Sequence, residues 1–148
     1  MKESEIMNKI TKLQRRARWF YLHKMQFVSV MIYRYMRFMY SCVIPYTCEI
    51  APTVNFPHNA LGVVINSSSK IGENCTIYQN VTIGNRNSSE GPVLKDGVFV
   101  GANATILGDI TIGENSKIGG GALVVKSVKP GSTVVSAPAK EIGDGGNE

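Results

Sequence analysis

The chain has 148 residues, 43% of them hydrophobic and 18% charged, with a formal net charge of +5. That composition excludes a disordered or collagen-like chain, and the length predicts one domain with a short extension. The longest apolar stretch, Met25 to Tyr33, is interrupted by Gln26 and Ser29, well short of the roughly 18 residues that cross a bilayer. The segment MKESEIMNKI lacks an apolar core followed by a cleavage site, so no secretory signal is expected. Cys42, Cys48 and Cys75 are an odd number, with no CxxC and no His/Cys cluster. A disulfide scaffold and a structural zinc site are therefore not expected, no metal is expected, and a reducing cytoplasm fits.

Charge and glycine divide the chain in the same place. Residues 1–46 hold nine Lys/Arg against Glu3 and Glu5, a balance of +7, whereas residues 47–148 hold seven against nine, a balance of −2. No Gly precedes Gly62 and no Pro precedes Pro45. The reading is a helical extension over 1–41, a repetitive domain over 42–142 and a disordered tail over 143–148.

In the extension, Ile6, Ile10, Leu13, Ala17 and Phe20 are spaced by three or four, as are Val28, Ile32, Tyr35 and Met39. This is the period of one apolar helix face, and it predicts one or two amphipathic helices. The stripe is expected to pack on the rest of the protein or on a second copy. Arg and Lys beside Trp19, Phe20 and Phe27 also suit peripheral contact with an anionic membrane, at its inner face. No nucleic-acid recognition motif accompanies the charge. His23, among these aromatics, reads as structural.

From Ile65 onward the pattern changes. Aliphatic residues stand at 65, 71, 77 and 83, then at 94, 100, 106, 112, 118 and 124, every step being six except one of eleven. Ile71, Ile83, Val100, Ile112 and Ile118 are each followed by Gly. Four residues after most of them stands a smaller or branched residue, among them Cys75, Val81, Val98, Ala104, Ser116, Ala122 and Val128. Neither a helix nor an alternating strand singles out every sixth residue. A period of six predicts a short strand plus a turn, wound into a three-sided solenoid of about 18 residues per coil. The aliphatic residue points to the axis, and the Gly relieves crowding or allows positive φ at the corner. The long step contains NRNSSEGP, polar residues 85–92 that cannot fill a core and must project as a loop. The Asn-x-Thr triplets at Asn74, Asn80 and Asn103 read as turn chemistry.

PHNALGVVI, IGENCTIYQNVTIG, GPVLKDGVFVGANATILGDITIGENSKIGGGALVVKSV and the closing APAK together resemble the hexapeptide-repeat acyltransferases. Within them the chain is similar to the serine acetyltransferases and to the short O-acetyltransferases of polysaccharide gene clusters, over Cys42 to Ile142. The resemblance implies an all-β solenoid, a left-handed parallel β-helix with an N-terminal α-helical extension. It also implies a homotrimer that transfers acetyl from acetyl-CoA to a hydroxyl of L-serine or a similar small acceptor. A sugar of a capsule or exopolysaccharide precursor is the alternative acceptor, and a non-catalytic binding scaffold is the alternative function. Left-handedness departs from the usual right-handed crossover and comes from the resemblance alone.

Attack of a hydroxyl on a thioester needs a base, and imidazole titrates near neutral pH. His58 matches the base of the family's H-x-x-G segment, with Gly62 one residue later than that pattern. Backbone N–H groups of Gly84 and Asn85 are the expected oxyanion donors. By resemblance, acetyl-CoA lies in a groove between two prisms, its pantetheine arm bonding backbone at Ala102 and Gly120. Lys117, Lys126 and Lys129 are candidates for its phosphates. The family's Asp, in a D-I-H-P segment, is matched by Val43 in Val43-Ile44-Pro45-Tyr46, which leaves Glu49 as the nearest carboxylate to orient His58. The R-H-P of the projecting loop is replaced by Glu90-Gly91-Pro92, so transfer carries over better than serine as acceptor.

Overall fold

The structure, a computed structural model, describes residues 8–137. Two helices, α1 (Lys9–Leu22) and α2 (Gln26–Tyr40), precede twelve strands of two or three residues. These are β1 (Glu49–Ile50), β2 (Val64–Ile65), β3 (Lys70–Ile71), β4 (Thr76–Ile77), β5 (Thr82–Gly84), β6 (Val93–Leu94), β7 (Phe99–Val100), β8 (Thr105–Leu107), β9 (Thr111–Ile112), β10 (Lys117–Ile118), β11 (Leu123–Val124) and β12 (Thr133–Val134). They form three four-stranded sheets: face A (β2, β5, β8, β11), face B (β1, β3, β6, β9) and face C (β4, β7, β10, β12). Every pairing is parallel, so the chain winds A, B, C and repeats as a three-sided β-helix.

The six-residue grid becomes stacked columns. Ile65, Ile83, Ile106 and Val124 align on face A, Ile50, Ile71, Leu94 and Ile112 on face B, and Ile77, Val100, Ile118 and Val134 on face C. All but the half-buried Val134 are buried. No coil buries its own apolar residues, because each rests on the coils above and below. At the corners, Cys48, Cys75, Val81, Val98, Ala104 and Ala122 are buried and small. Cys42 lies two residues before Ile44, on the same corner spacing. The three cysteines are therefore corner filling, and all are free thiols.

Three details sharpen the sequence reading. The glycines after the aliphatic positions serve close packing, not positive φ: a Cβ on Gly101 would lie 2.6 Å from the backbone nitrogen of Gly120 in the next coil. Positive φ falls two residues later, on Asn74, Asn80, Asn103 and Asn115. Asn tolerates that conformation at low cost, which explains the Asn-x-Thr triplets. Val128 is not a corner residue, since it bridges Ile112 on face B after a shortened turn. The solenoid runs one coil ahead of the regular grid at Ile65, within the domain read from residue 42. Ile44, Ile50 and Phe56 are buried on the same six-residue spacing, and Val43 and Asn55 bridge the next coil. Three extra residues between Phe56 and Ile65 break the grid there.

The open end of that first coil would leave carbonyls unpaired, and α1 covers it. Asn8 caps α1 by accepting from Ile10 N–H at 2.9 Å and donates to Phe56 O at 2.8 Å. Thr11 donates to Val54 O at 2.8 Å, Gln14 to Cys48 O at 3.0 Å, and Arg18 to Thr47 O at 2.6 Å. A polar stripe at 8, 11, 14 and 18 thus satisfies acceptors of the β-helix while Ile10 and Ala17 fill the gap beside it. Helix α2 lies outside α1, with Ser29 donating to Ala17 O at 2.9 Å. The face α2 buries is centred on Ser29 and Met36, not on the expected Val28–Ile32–Tyr35–Met39 stripe; Tyr35 and Met39 are exposed. The expected tail over 143–148 and position Ile6 lie outside the described residues.

Truncating the stacked column opens a cavity between coils. Ile106→Ala is expected to lower the unfolding free energy by about 2–5 kcal/mol. Thr111→Ala, on the exposed side of face B, should change it by no more than about 0.5 kcal/mol. Denaturant titration followed by circular dichroism measures both.

Candidate active site

His58 sits where the grid is interrupted. Pro57–Ala60 form a single tight turn on the edge between faces C and A. Its backbone is left-handed at three successive residues that are not glycine: His58 (φ 55°), Asn59 (φ 55°) and Ala60 (φ 57°). At His58 and Ala60 this costs roughly 1–2 kcal/mol each, and less at Asn59, so the turn persists only because its surroundings hold it. Ala60 is buried in the corner, Asn80 N–H donates to Leu61 O at 2.8 Å, and Gly62 N–H donates to Ser41 O at 3.1 Å. With both ends of the turn fixed, the His58 imidazole stands exposed on the edge. Its ring centroid is 6.2 Å from Tyr78, which is in turn 5.4 Å from Phe99.

The same edge continues through the coils below as Tyr78–Gln79, Gly101–Ala102 and Gly119–Gly120. Asn103 N–H donates to Gln79 O at 3.1 Å, and Gly121 N–H donates to Ala102 O at 2.9 Å. Gly101 is buried against Gly120 of the next coil, while Ala102 is half-buried and Gly120 exposed, so small residues leave backbone accessible at Ala102 and Gly120. The Gln79 side-chain oxygen is buried without a hydrogen-bond partner, within this row. Tyr78, Gln79 and Phe99 went unremarked in the sequence. Their only signal is position: Tyr78 and Gln79 follow the core residue Ile77 on the edge that His58 shares, and Phe99 precedes Val100 on face C.

The remaining candidates lie elsewhere. Gly84 and Asn85 stand at the other end of the face A strands, on the edge between A and B, with Lys126. Gly84 pairs with Leu107, so Asn85 is the first residue beyond the ladder. The loop after it leaves this edge and is tied down: Asn85 Nδ2 donates to Ser88 O at 2.8 Å, and Ser68 Oγ donates to Ser89 O at 3.0 Å. Lys117 projects from face C, and Lys129 lies on the B–C edge. Glu49 does not reach His58 within the chain. It stands on face B, 3.7 Å from Arg18 and 3.9 Å from Lys70, where it pairs with cations. These three line a groove of about 530 Å³ between α1 and face B, and that groove does not extend to His58. His23 stacks on Trp19 at 3.9 Å with Nδ1 2.8 Å from Trp19 O, a helix-hairpin contact.

One copy therefore presents the candidates in two rows. His58, Ala102 and Gly120 share one edge; Gly84, Asn85 and Lys126 share the next.

Comparison with known proteins fits this architecture. The family described as "Bacterial transferase hexapeptide (six repeats)" matches residues 91–126. Residues 91–126 thus carry the repeat of that family. It is 34% identical over 135 residues to the serine acetyltransferase of Bacillus pumilus, covering 89% of this chain and 62% of that protein. To the Bacillus subtilis serine acetyltransferase it is 34% identical over 131 residues, covering 86% and 60%. The crystal structure of Neisseria gonorrhoeae serine acetyltransferase in complex with serine superposes with a TM-score of 0.81 at 33% identity, covering 89% of this chain and 55% of that one. The soybean serine acetyltransferase complexed with serine gives 0.80 at 31% identity, covering 88% and 55%. The chain thus spans about six-tenths of the length of these two Bacillus relatives. With this superposition, the three parallel sheets form a left-handed β-helix.

Burial pushes the thiol of Cys48 up to about 12, and those of Cys42 and Cys75 up to about 11. All three stay protonated at neutral pH, and none is a nucleophile of the site. Native protein at pH 8 should react negligibly with a disulfide reagent, whereas protein unfolded in guanidinium should titrate three thiols. Rapid reaction of the native protein would place a cysteine at the surface.

Proposed function

We propose that this chain transfers an acetyl group from acetyl-CoA to the hydroxyl of a small acceptor, with His58 as general base. The observation that carries the reading is the strained turn that exposes an imidazole on the same edge as the bare backbone at Ala102 and Gly120. The likeness to proteins named serine acetyltransferase supports the reaction class and makes L-serine the first acceptor to test.

The site is completed by a neighbouring copy. The outward residues of face A are Val64, Thr82, Thr105 and Leu123, followed by Asn66, Gly84, Leu107 and Val125, so this face carries no charge. Face B presents Glu49 and Lys70, and face C presents Lys117. A face without charge, with Val64 and Leu123 exposed, suits contact between copies. Three copies turning face A toward a threefold axis meet at their edges, and each C–A edge then lies against a partner's A–B edge. That packing brings His58, Ala102 and Gly120 of one copy beside Asn85 and Lys126 of the next. Acetyl-CoA lies along the cleft, its pantetheine arm on the bare backbone and its phosphates near lysine.

In this arrangement His58 takes the proton from the acceptor hydroxyl as its oxygen attacks the thioester carbonyl. The Asn85 N–H holds the oxyanion of the tetrahedral intermediate. As the intermediate collapses, the C–S bond breaks and the imidazolium returns the proton to the departing thiolate. The products are an O-acetyl ester and free coenzyme A.

A second reading, a sugar hydroxyl as acceptor, is favoured by Tyr78 and Phe99. On the C–A edge, residues 57–62, 78–81, 101–104 and 119–122 include no Lys or Arg, so an amino-acid carboxylate would depend on a cation of the partner's A–B edge. The aromatic rings offer a surface for the apolar side of a pyranose. L-serine set against hexoses and nucleotide sugars, scored by thiol release from acetyl-CoA, separates the two. No release with any acceptor would leave the β-helix a binding scaffold.

His58→Ala is expected to lower kcat by roughly 10²–10⁴-fold while leaving circular dichroism and coenzyme A binding unchanged. Wild-type turnover by that variant would remove His58 from the mechanism.

A further inference from the structure

Helix α2 is apolar on two opposite sides. One side, at Ser29 and Met36, packs inward. The meridian facing away carries Phe27 (78% exposed), Met31 (53%) and Phe38 (86%), spaced four and seven residues apart, with Tyr35 (47%) alongside. A helix with solvent as its outer neighbour would be polar there. Arg34 lies within this stripe and Arg37 on its flank, while Leu22 and Met25 extend it across the hairpin tip.

The surrounding charge has one sign. From residue 8 to residue 46 there is no Asp or Glu, against eight Lys and Arg. A second copy presenting the same helices would set cation against cation. An anionic surface would find Arg34, Arg37 and Lys24 unopposed, since the described salt bridges use only Arg18 among the helix cations. The helix has 15 residues, and no described helix is long and apolar enough to cross a membrane.

We propose that the outer face of α2 lies in the plane of an anionic phospholipid surface. Phe27, Met31 and Phe38 enter the headgroup–acyl boundary, and Arg34 and Arg37 rest on the phosphates. The β-helix then hangs from the membrane through α1, whose cation Arg18 is committed to Thr47 and Glu49 and is not part of the contact. An acceptor anchored in the same leaflet would reach His58 by diffusion in two dimensions.

The test is co-sedimentation of the full chain with vesicles of phosphatidylglycerol and phosphatidylcholine, and with vesicles of phosphatidylcholine alone. Binding should be strong to the first, weak to the second, and reduced by salt. Arg34→Ser with Arg37→Ser should lower partitioning onto anionic vesicles roughly 25-fold, taking each arginine as about fivefold. Phe27→Ser with Phe38→Ser should lower it as well, and these surface changes should leave circular dichroism unaltered. Failure of the wild type to sediment with anionic vesicles would overturn the proposal. So would a phenylalanine variant that binds vesicles as the wild type does. If the wild type ignores vesicles while the phenylalanine variant falls to a smaller assembly by light scattering, a second copy covers this face instead.

Discussion

Each full coil of this protein buries large aliphatic side chains at its faces and small ones at its corners, and neither set can shift by one residue without exposing the other. Strands of two or three residues are too short to hold register by hydrogen bonds alone, so the stacked columns set it. Ile106 lies over Ile83 and under Val124, and Ile112 lies over Leu94. With the columns fixed, every corner residue of one edge falls above its counterpart in the next coil. That is how Tyr78, Gly101 and Gly119, more than 40 residues apart in sequence from first to last, come to form one continuous row. The site inherits its geometry from this stacking and needs only one irregular turn, at His58, to place a reactive group at the head of the row.

A solenoid must close its ends, because the outermost coil leaves backbone acceptors and apolar side chains uncovered. Here α1 does so with donors as much as with bulk. Asn8, Thr11, Gln14 and Arg18 meet carbonyls of Phe56, Val54, Cys48 and Thr47. The same carbonyls belong to the coil that enters the His58 turn, and Phe56 immediately precedes it. The helical extension and the candidate base are thus one packing unit, and loosening α1 would free the segment that holds the imidazole in place.

The body of the β-helix was legible because a six-residue period has few physical explanations. The projecting loop was legible because NRNSSEGP contains nothing that could fill a core. The first coil was obscured by three inserted residues, although Ile44, Ile50 and Phe56 keep the spacing. The donor stripe of α1 was hidden for a different reason: polar residues at helical spacing look like a solvated face until the carbonyls they meet are known. For α2 the apolar residues ran around the helix, so periodicity alone caught only the margin of the buried face: Ile32 packs on the core, while Tyr35 and Met39 are exposed. The edge that His58 joins was also beyond the sequence, since the three inserted residues between Phe56 and Ile65 conceal its place on the grid. Glu49 shows the cost of reasoning by nearness in sequence: nine residues before His58, it stands on another face with Arg18 and Lys70.

The central claim is that catalysis uses the C–A edge of one copy and the A–B edge of its neighbour. Two variants disable one row each: His58→Ala removes the base, and Asn85→Pro removes the backbone donor beyond β5. Each alone should be inactive in thiol release from acetyl-CoA. Unfolded together and refolded as a mixture, they should recover activity, because some clefts then receive His58 and Asn85 from different intact subunits. A mixture as inactive as either parent, with both variants shown to fold and co-assemble, would mean that the site lies within a single copy and that the account of two rows is wrong.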